Sequence, residues 1–545
     1  MRFACQVIAV LLTISLDATS ATESSARYAV ATANTAATDA GMRMLAMGGS
    51  AADAAVAIQM VLGVVEPQSS GLGGGSIALY RDARTRRMTA MDGLARSSSA
   101  YHPDAAEVAG FAHTGAAVGV PGTLRVLEVL HRRYGRLPWR VLFEPAIALA
   151  DGGFAASPYL ARSLAAAVRA GMKPPEWLTD GAGKPIAQGA QVHNPALADE
   201  LRAVAEHGPD AVYVGLAGRL VSAVQPGGSI TAGDLAGYKA VEREPLCLVL
   251  RRATLCSFPS PSYGGTAVLE TLGILERTPG LAPSFLDVRF VHRFIEAGRM
   301  AEADRMDVVG DPDASSVSVG ALLMPAHLLA RAARINDNSV ITNPHRAACG
   351  ASDRPPEPST SQVSVVDLWG DALAMTTTIN VNFGSWLSVG GFFLNDAMTN
   401  FSSAALEHCS ANAPASGKRP ETAMAPVIAL DAGGSVVLIG GSAGAGEIVD
   451  YVSQAVIELM AGESPAQALD DGHVSTARAP YADSAGEVEL EQGRAVAQLA
   501  HRLTSMGHHV RVAPLSSGMS FIVARQGGWQ GAADPRRDGT FAASR

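Results

Sequence analysis

A chain of 545 residues, 48% hydrophobic and only 17% charged, carries enough apolar material for a large buried core; its length alone allows three or four domains. A net charge of −9, with short basic clusters such as Arg132-Arg133 and Arg251-Arg252 that read as ordinary surface, argues against nucleic acid as a partner. The 56 glycines and many alanines sit within persistent apolar periodicity, which excludes a disordered chain.

Phe3 to Leu16 form an almost unbroken apolar run, followed by Ala18-Thr19-Ser20-Ala21. Residues 1–21 thus read as a secretory signal with a small-residue cleavage site, too short to span a bilayer well. Export to the periplasm or medium is the resulting expectation. Asp17 and a single positive residue depart from the signal pattern, and the cytoplasm is the alternative.

Tyr28 to Thr32 predicts a strand and Ala36 to Met47 a helix closed by Gly48-Gly49. Ser50 reads as the N-cap of the next helix. The run Glu66-Pro67-Gln68-Ser69-Ser70-Gly71-Leu72-Gly73-Gly74-Gly75 leads into a strand, Ser76 to Tyr80. A dinucleotide fingerprint must follow a strand and open a helix, so these glycines instead suit close backbone approach beneath a site. Met88 to Asp92 is the partner strand. Helices dominate from Leu124 to about Val224. Strands Cys247–Arg251 and Ala253–Phe258 precede a helix over Ala267–Leu275. Leu286 to Arg305 reads as an amphipathic helix whose Arg289, Arg293, Glu296, Arg299 and Glu302 form a solvated face. Ala333 to Pro358 is the one linker. Beyond it come strands Val363–Leu368, Ala372–Ile379, Val427–Leu430 and Ser435–Ile439, helices Glu447–Met460, Ala466–Asp471 and Gln492–Met506, and a final strand Ser520–Arg525.

None of Cys5, Cys247, Cys256, Cys349 and Cys409 forms a C-x-x-C pair or lies at metal spacing from histidines, and no metal or organic cofactor is implied. Cys247 and Cys256 flank a hairpin, where they are either paired or buried free thiols.

Thr360 stands where the linker meets the first strand of the last region. If the chain is cut just before it, one residue carries both a hydroxyl nucleophile and a free α-amine able to take its proton. Several collinear motifs support that reading: the Glu66 to Gly75 run, Pro121-Gly122-Thr123, Tyr238 to Arg243, Pro261-Ser262-Tyr263-Gly264-Gly265, Ala303-Asp304-Arg305 with Gly310-Asp311-Pro312, Thr360 to Asp367, Asn380-Val381-Asn382-Phe383-Gly384, Lys418-Arg419-Pro420, Met424-Ala425-Pro426 and Gly441-Ser442-Ala443-Gly444. Together, from about Tyr28 onward, they resemble the gamma-glutamyltransferase family of N-terminal nucleophile (Ntn) hydrolases.

The resemblance implies an α+β fold, a four-layer αββα sandwich built from a precursor that cuts itself between Ser359 and Thr360. A large subunit, 22–359, and a small subunit, 360–545, would then share one body. It implies attack by Thr360 on a gamma-glutamyl amide, a hydrogen bond from Thr378, and an oxyanion loop at Gly444-Ala445. The acyl group passes to water or an amine. Asn380 matches a substrate ligand. At the other ligand positions the sequence departs: Leu94 takes the place of a carboxylate-binding Arg, with Arg96 two residues on as a substitute or a surface residue. Ala397 and Asn400 replace a Gln and an Asp that hold an α-amine, and Thr422-Ala423 replace paired serines. An apolar residue in place of a charged ligand disfavours a zwitterionic head group. Three readings follow: an enzyme acting on glutathione-like gamma-glutamyl compounds; a divergent member with another substrate, such as a cephalosporin-acylase-like amidase or a C–C bond hydrolase of natural-product biosynthesis; and a non-enzymatic scaffold.

Overall fold

The computed structural model describes residues 26–101, 113–225, 227–278, 280, 283–314, 318–341, 359–402, 410–478 and 487–544. The signal-like segment, Cys5, Cys349, Cys409 and the linker from residue 342 to 358 lie outside them.

Two antiparallel sheets form the centre. The first runs Thr540–Ala543, Ala29–Thr32, Ser361–Val366, Ala372–Thr378, Gly75–Arg81, Met88–Gly93, Val241–Arg243. The second runs Gly528–Ala533, Ser520–Arg525, Val436–Gly441, Val427–Leu430, Thr254–Ser257, Leu246–Val249. Side chains alternate across each strand, so each sheet buries two faces. Ile77, Leu79 and Ala374 of the first sheet meet Ile428, Ile439 and Ile522 of the second. Val363, Val365, Leu373 and Met375 share an outer core with the helix Ala51–Val65. Leu255, Val427 and Leu438 pack outward with the helices Tyr263–Glu276 and Ile448–Ala461. The order helix, sheet, sheet, helix is the αββα sandwich expected from the sequence.

Ser50 caps the Ala51–Val65 helix as expected: its hydroxyl accepts from Asp53 N–H, and Asp53 accepts in return from Ser50 N–H at 2.8 Å. That helix is buried on nearly every side and ends at Glu66, beneath the start of the strand Ser361–Val366.

Three expectations are corrected, and the open alternative at Cys247 and Cys256 is resolved. The long helix spans Val288–Val308, and of its charged row only Arg289 faces solvent. Glu296 and Arg299 are 1% and 2% exposed and pair at 2.7 Å, because the helix packs among neighbouring helices and the strand Val474–Arg478. Cys247 and Cys256 form a disulfide across the Leu246–Val249/Thr254–Ser257 hairpin, where they face each other in register. The helix expected over Gln492–Met506 is a 3-10 turn, Ala495–Leu499, and a short helix, Ala500–Ser505. Ser520–Arg525 is not the last strand, since Gly528–Ala533 and Thr540–Ala543 follow and close one edge of each sheet.

Candidate active site

Thr360 immediately precedes the strand Ser361–Val366. It is 4% exposed, and its hydroxyl donates to Thr378 Oγ1 at 2.9 Å. Thr378 ends the neighbouring strand, and its Oγ1 also accepts from Asn380 N–H at 2.8 Å. Thr360 holds φ at +83°, with Ser359 before it buried. Left-handed backbone is a rare conformation for a β-branched residue and costs about 1–3 kcal/mol. The strain therefore sits at the residue whose amide nitrogen belongs to the expected scissile bond.

The glycine run does what its residue type suggested. A Cβ on Gly74 would lie 2.3 Å from Thr378 O, and one on Gly73 would lie 2.2 Å from Phe393 O. Backbones approach too closely there for any side chain. Beside this run lies a cavity lined by four of the predicted residues, Thr378, Asn380, Asn400 and Thr422. Leu94, Ala95, Ala397 and Pro420 give it apolar wall, and Gly75, Asn395 and Glu421 complete it. Asn380, at φ +82°, donates to Thr399 Oγ1 at 3.1 Å.

Arg96 is not brought to this cavity. Its backbone bridges to Val120, and its guanidinium stands 5.7 Å from the Tyr238 ring centroid. Gly444 and Ala445 also do not line the cavity. They open the turn Ala445–Glu447 at the start of the helix Ile448–Ala461, with φ of +137° and +55°. An alanine at +55° stays within the small left-handed region, so the backbone donors of this helix start are retained. Arg537 links this loop to the nucleophile. Its NH1 donates to Thr360 O at 3.0 Å, and a Cβ on Gly518 would touch both its Nε and the Ala443 Cβ.

Arg537 and Glu66 carried no role in the sequence reading. Glu66 is fully buried and accepts from Ser361 Oγ at 2.7 Å, while its Oε1 has no partner among the described residues. Burial pushes its carboxyl up to about 7, against the Ser361 hydrogen bond and the Arg537 charge. Two further groups come together only in the fold. Asp92 takes Arg243 at 2.7 Å and Arg419 at 3.4 Å, behind Leu94. Arg305 forks onto Glu302 and gives its NH1 to Glu421 at 2.7 Å. A spacing signal existed for Arg305 and Glu302, three residues apart on a helix, but none for Glu421.

Two buried clusters have metal-ligand composition, His292 with Glu296 and His508, and Glu270 with Asp304 and His327. Both are engaged in hydrogen bonds and ion pairs: His292 with His508 at 2.7 Å, Arg299 on Glu296, His327 with Glu270 at 2.7 Å, and Arg331 on Asp304. Neither lines the cavity.

Residues 37–544 match the Gamma-glutamyltranspeptidase family. The glutathione hydrolase proenzyme of Pseudomonas aeruginosa is 35% identical over 435 residues, 76% of each chain. That of Escherichia coli is 32% identical over 537 residues, 93% of this chain and 90% of its own. Among solved structures, a cephalosporin acylase of Bacillus halodurans superposes with a TM-score of 0.83 at 25% identity, covering 96% of both chains. An Ntn hydrolase sandwich with a buried threonine pair at its strand start thus agrees with the match along the chain: the protein belongs to the gamma-glutamyltranspeptidase family. It is an enzyme of that Ntn kind, and the scaffold reading falls away.

Proposed function

We propose that Thr360 is the nucleophile of an autoprocessing acyltransferase, freed by cleavage of the Ser359–Thr360 bond. The observation that carries this is the buried Thr360–Thr378 hydroxyl pair at 2.9 Å on a strained, left-handed Thr360. In the precursor, Thr360 Oγ1 attacks the Ser359 carbonyl carbon. The C–N bond breaks as the Thr360 nitrogen takes up a proton, leaving an ester. Water hydrolyses the ester to a Ser359 carboxylate and a free α-amine. Fragments 22–359 and 360–545 stay in one body, because the strands on both sides of the cut share the first sheet.

In turnover the α-amine takes the Oγ1 proton, directly or through water, as Oγ1 attacks the substrate carbonyl. Thr378 orients the hydroxyl, and backbone N–H groups at Gly444-Ala445 face the developing oxyanion. The leaving amine departs protonated, and water or an acceptor amine then takes the acyl group from Thr360. A gamma-glutamyl or related acyl amide is the substrate class, as the names of the glutathione hydrolase relatives suggest. Leu94, Ala397 and Asn400 in the cavity wall favour a second reading, an amidase for another acyl group. The Cys247–Cys256 disulfide supports an oxidising compartment outside the cytoplasm.

Intact-mass analysis tests the nucleophile. Rapid quenching with gamma-glutamyl p-nitroanilide should add one acyl mass to the fragment that begins at Thr360. An acyl mass on the other fragment, or on Thr360→Ala, would contradict the proposal.

A further inference from the structure

The cavity beside Thr360 has an electrostatic imbalance. Of the described residues that line it, Glu421 alone is charged. Behind it, one guanidinium serves two carboxylates. Arg305 Nε and NH2 both go to Glu302, and only NH1 reaches Glu421, through Oε1. Arg305 is held flat on Tyr263, with its Cζ 3.7 Å from the ring centroid. The triad therefore carries one positive and two negative charges. Among the described residues, none of the neighbouring cations lines the cavity. Arg243 and Arg419 pair with Asp92, Asp311 and Asp313, the Arg96 guanidinium shares the Tyr238 ring with Arg419, and the Lys418 ammonium donates to Ala411 O and Ala413 O. Burial pushes the Glu421 carboxyl above its ordinary range, against the charges of Arg305 and Lys418.

The rest of the described lining carries no cation. Leu94 and Ala95 are 5% and 3% exposed, and Ala397 and Pro420 are apolar. Thr378, Asn380, Asn395, Asn400 and Thr422 are neutral. A carboxylate entering here would be desolvated beside Glu421 with no cation in the described lining, whereas an ammonium would complete the triad.

We infer that the site selects acyl groups that carry an ammonium, and no carboxylate, at the end remote from the scissile carbonyl, with Glu421 as the anchor. This rests on the proposed acylation of Thr360 and specifies its substrate class.

Four p-nitroanilides separate the two charges. Gamma-glutamyl carries both, 4-aminobutyryl only the amine, glutaryl only the carboxylate and butyryl neither. With processed wild-type enzyme, kcat/KM for 4-aminobutyryl should exceed that for butyryl by about 10- to 100-fold, the worth of one charge-assisted hydrogen bond. Glutaryl should fall below butyryl, and gamma-glutamyl below 4-aminobutyryl. In Glu421→Gln the 4-aminobutyryl to butyryl ratio should fall toward one. The inference is overturned if glutaryl or gamma-glutamyl equals 4-aminobutyryl, if the ratio survives in Glu421→Gln, or if processed enzyme turns over none of the four. A chain that never splits, seen on the same gel, locates the failure in the Thr360 reading and removes the selectivity with it.

Discussion

At Thr360 three local facts coincide: a left-handed backbone, a hydroxyl hydrogen-bonded to Thr378, and a carbonyl held by Arg537. Thr378→Val keeps the strand's β-branched shape but removes the hydroxyl that orients the nucleophile. Its kcat/KM on any accepted anilide should fall about 10- to 100-fold, since a hydrogen bond to a developing charge is at stake. Steady-state kinetics on processed enzyme checks this. Glu66 gives a pH signature. Its carboxyl titrates near 7 in the fold and near its ordinary 4.5 unfolded, so between those values the unfolded chain holds fewer protons than the native one. Stability from this group is therefore full below about 4.5 and lost as pH rises to about 7, a loss of about 3 kcal/mol at most. Denaturant melts of Glu66→Gln should show a shallower decline than wild type across that window, because the amide still accepts from Ser361 without a charge to bury. An identical decline would remove Glu66 from the account. Thr360, Thr378, Asn380, Asn400 and Thr422 were legible in sequence because local motifs carry them. Arg537 and Glu421 were not, since each acts on a residue more than a hundred positions away.

At the scale of elements, short apolar runs predicted the central strands well, because a strand between two cores buries residues on both faces. Val427–Leu430 and Ser520–Arg525 came out at the expected bounds. Periodicity misled where burial was two-sided and polar. The helix Val288–Val308 reads as half solvated, yet it buries Glu296 and Arg299 as a pair. Hydropathy alone cannot separate a charge facing water from a charge facing its partner. The terminal strands Gly528–Ala533 and Thr540–Ala543 were missed because they are small-residue edge strands with weak alternation. The Cys247–Cys256 bond closes a hairpin at the edge of the second sheet, nine residues apart in sequence. Chain entropy over so short a loop gives it up to about 3 kcal/mol. Replacing both cysteines with serine should raise amide exchange over 246–257 and leave the first sheet unchanged. Unaltered exchange in that hairpin would show that the bond adds nothing.

For the whole molecule, the fold explains how the proposed cut before Thr360 would be tolerated. The first sheet draws Ala29–Thr32, Gly75–Arg81 and Met88–Gly93 from before Thr360, and Ser361–Val366, Ala372–Thr378 and Thr540–Ala543 from after it. Its hydrogen bonds join strands from both sides of the proposed cut, so severing that one peptide bond would leave both cores intact. The collinear motifs made this architecture legible in outline, while the charge balance of the cavity, a property of side chains assembled from five separate segments, was not. Among the described residues no helix is long and apolar enough to cross a membrane. The central claim is that Thr360 becomes an N-terminus by its own chemistry. Denaturing electrophoresis with N-terminal sequencing of the purified protein tests it most directly. Wild type should give two unequal fragments, the smaller beginning Thr360-Ser361-Gln362, and Thr360→Ala should remain one chain. An intact wild type, a cut elsewhere, or a Thr360→Ala that still splits at that bond would contradict it.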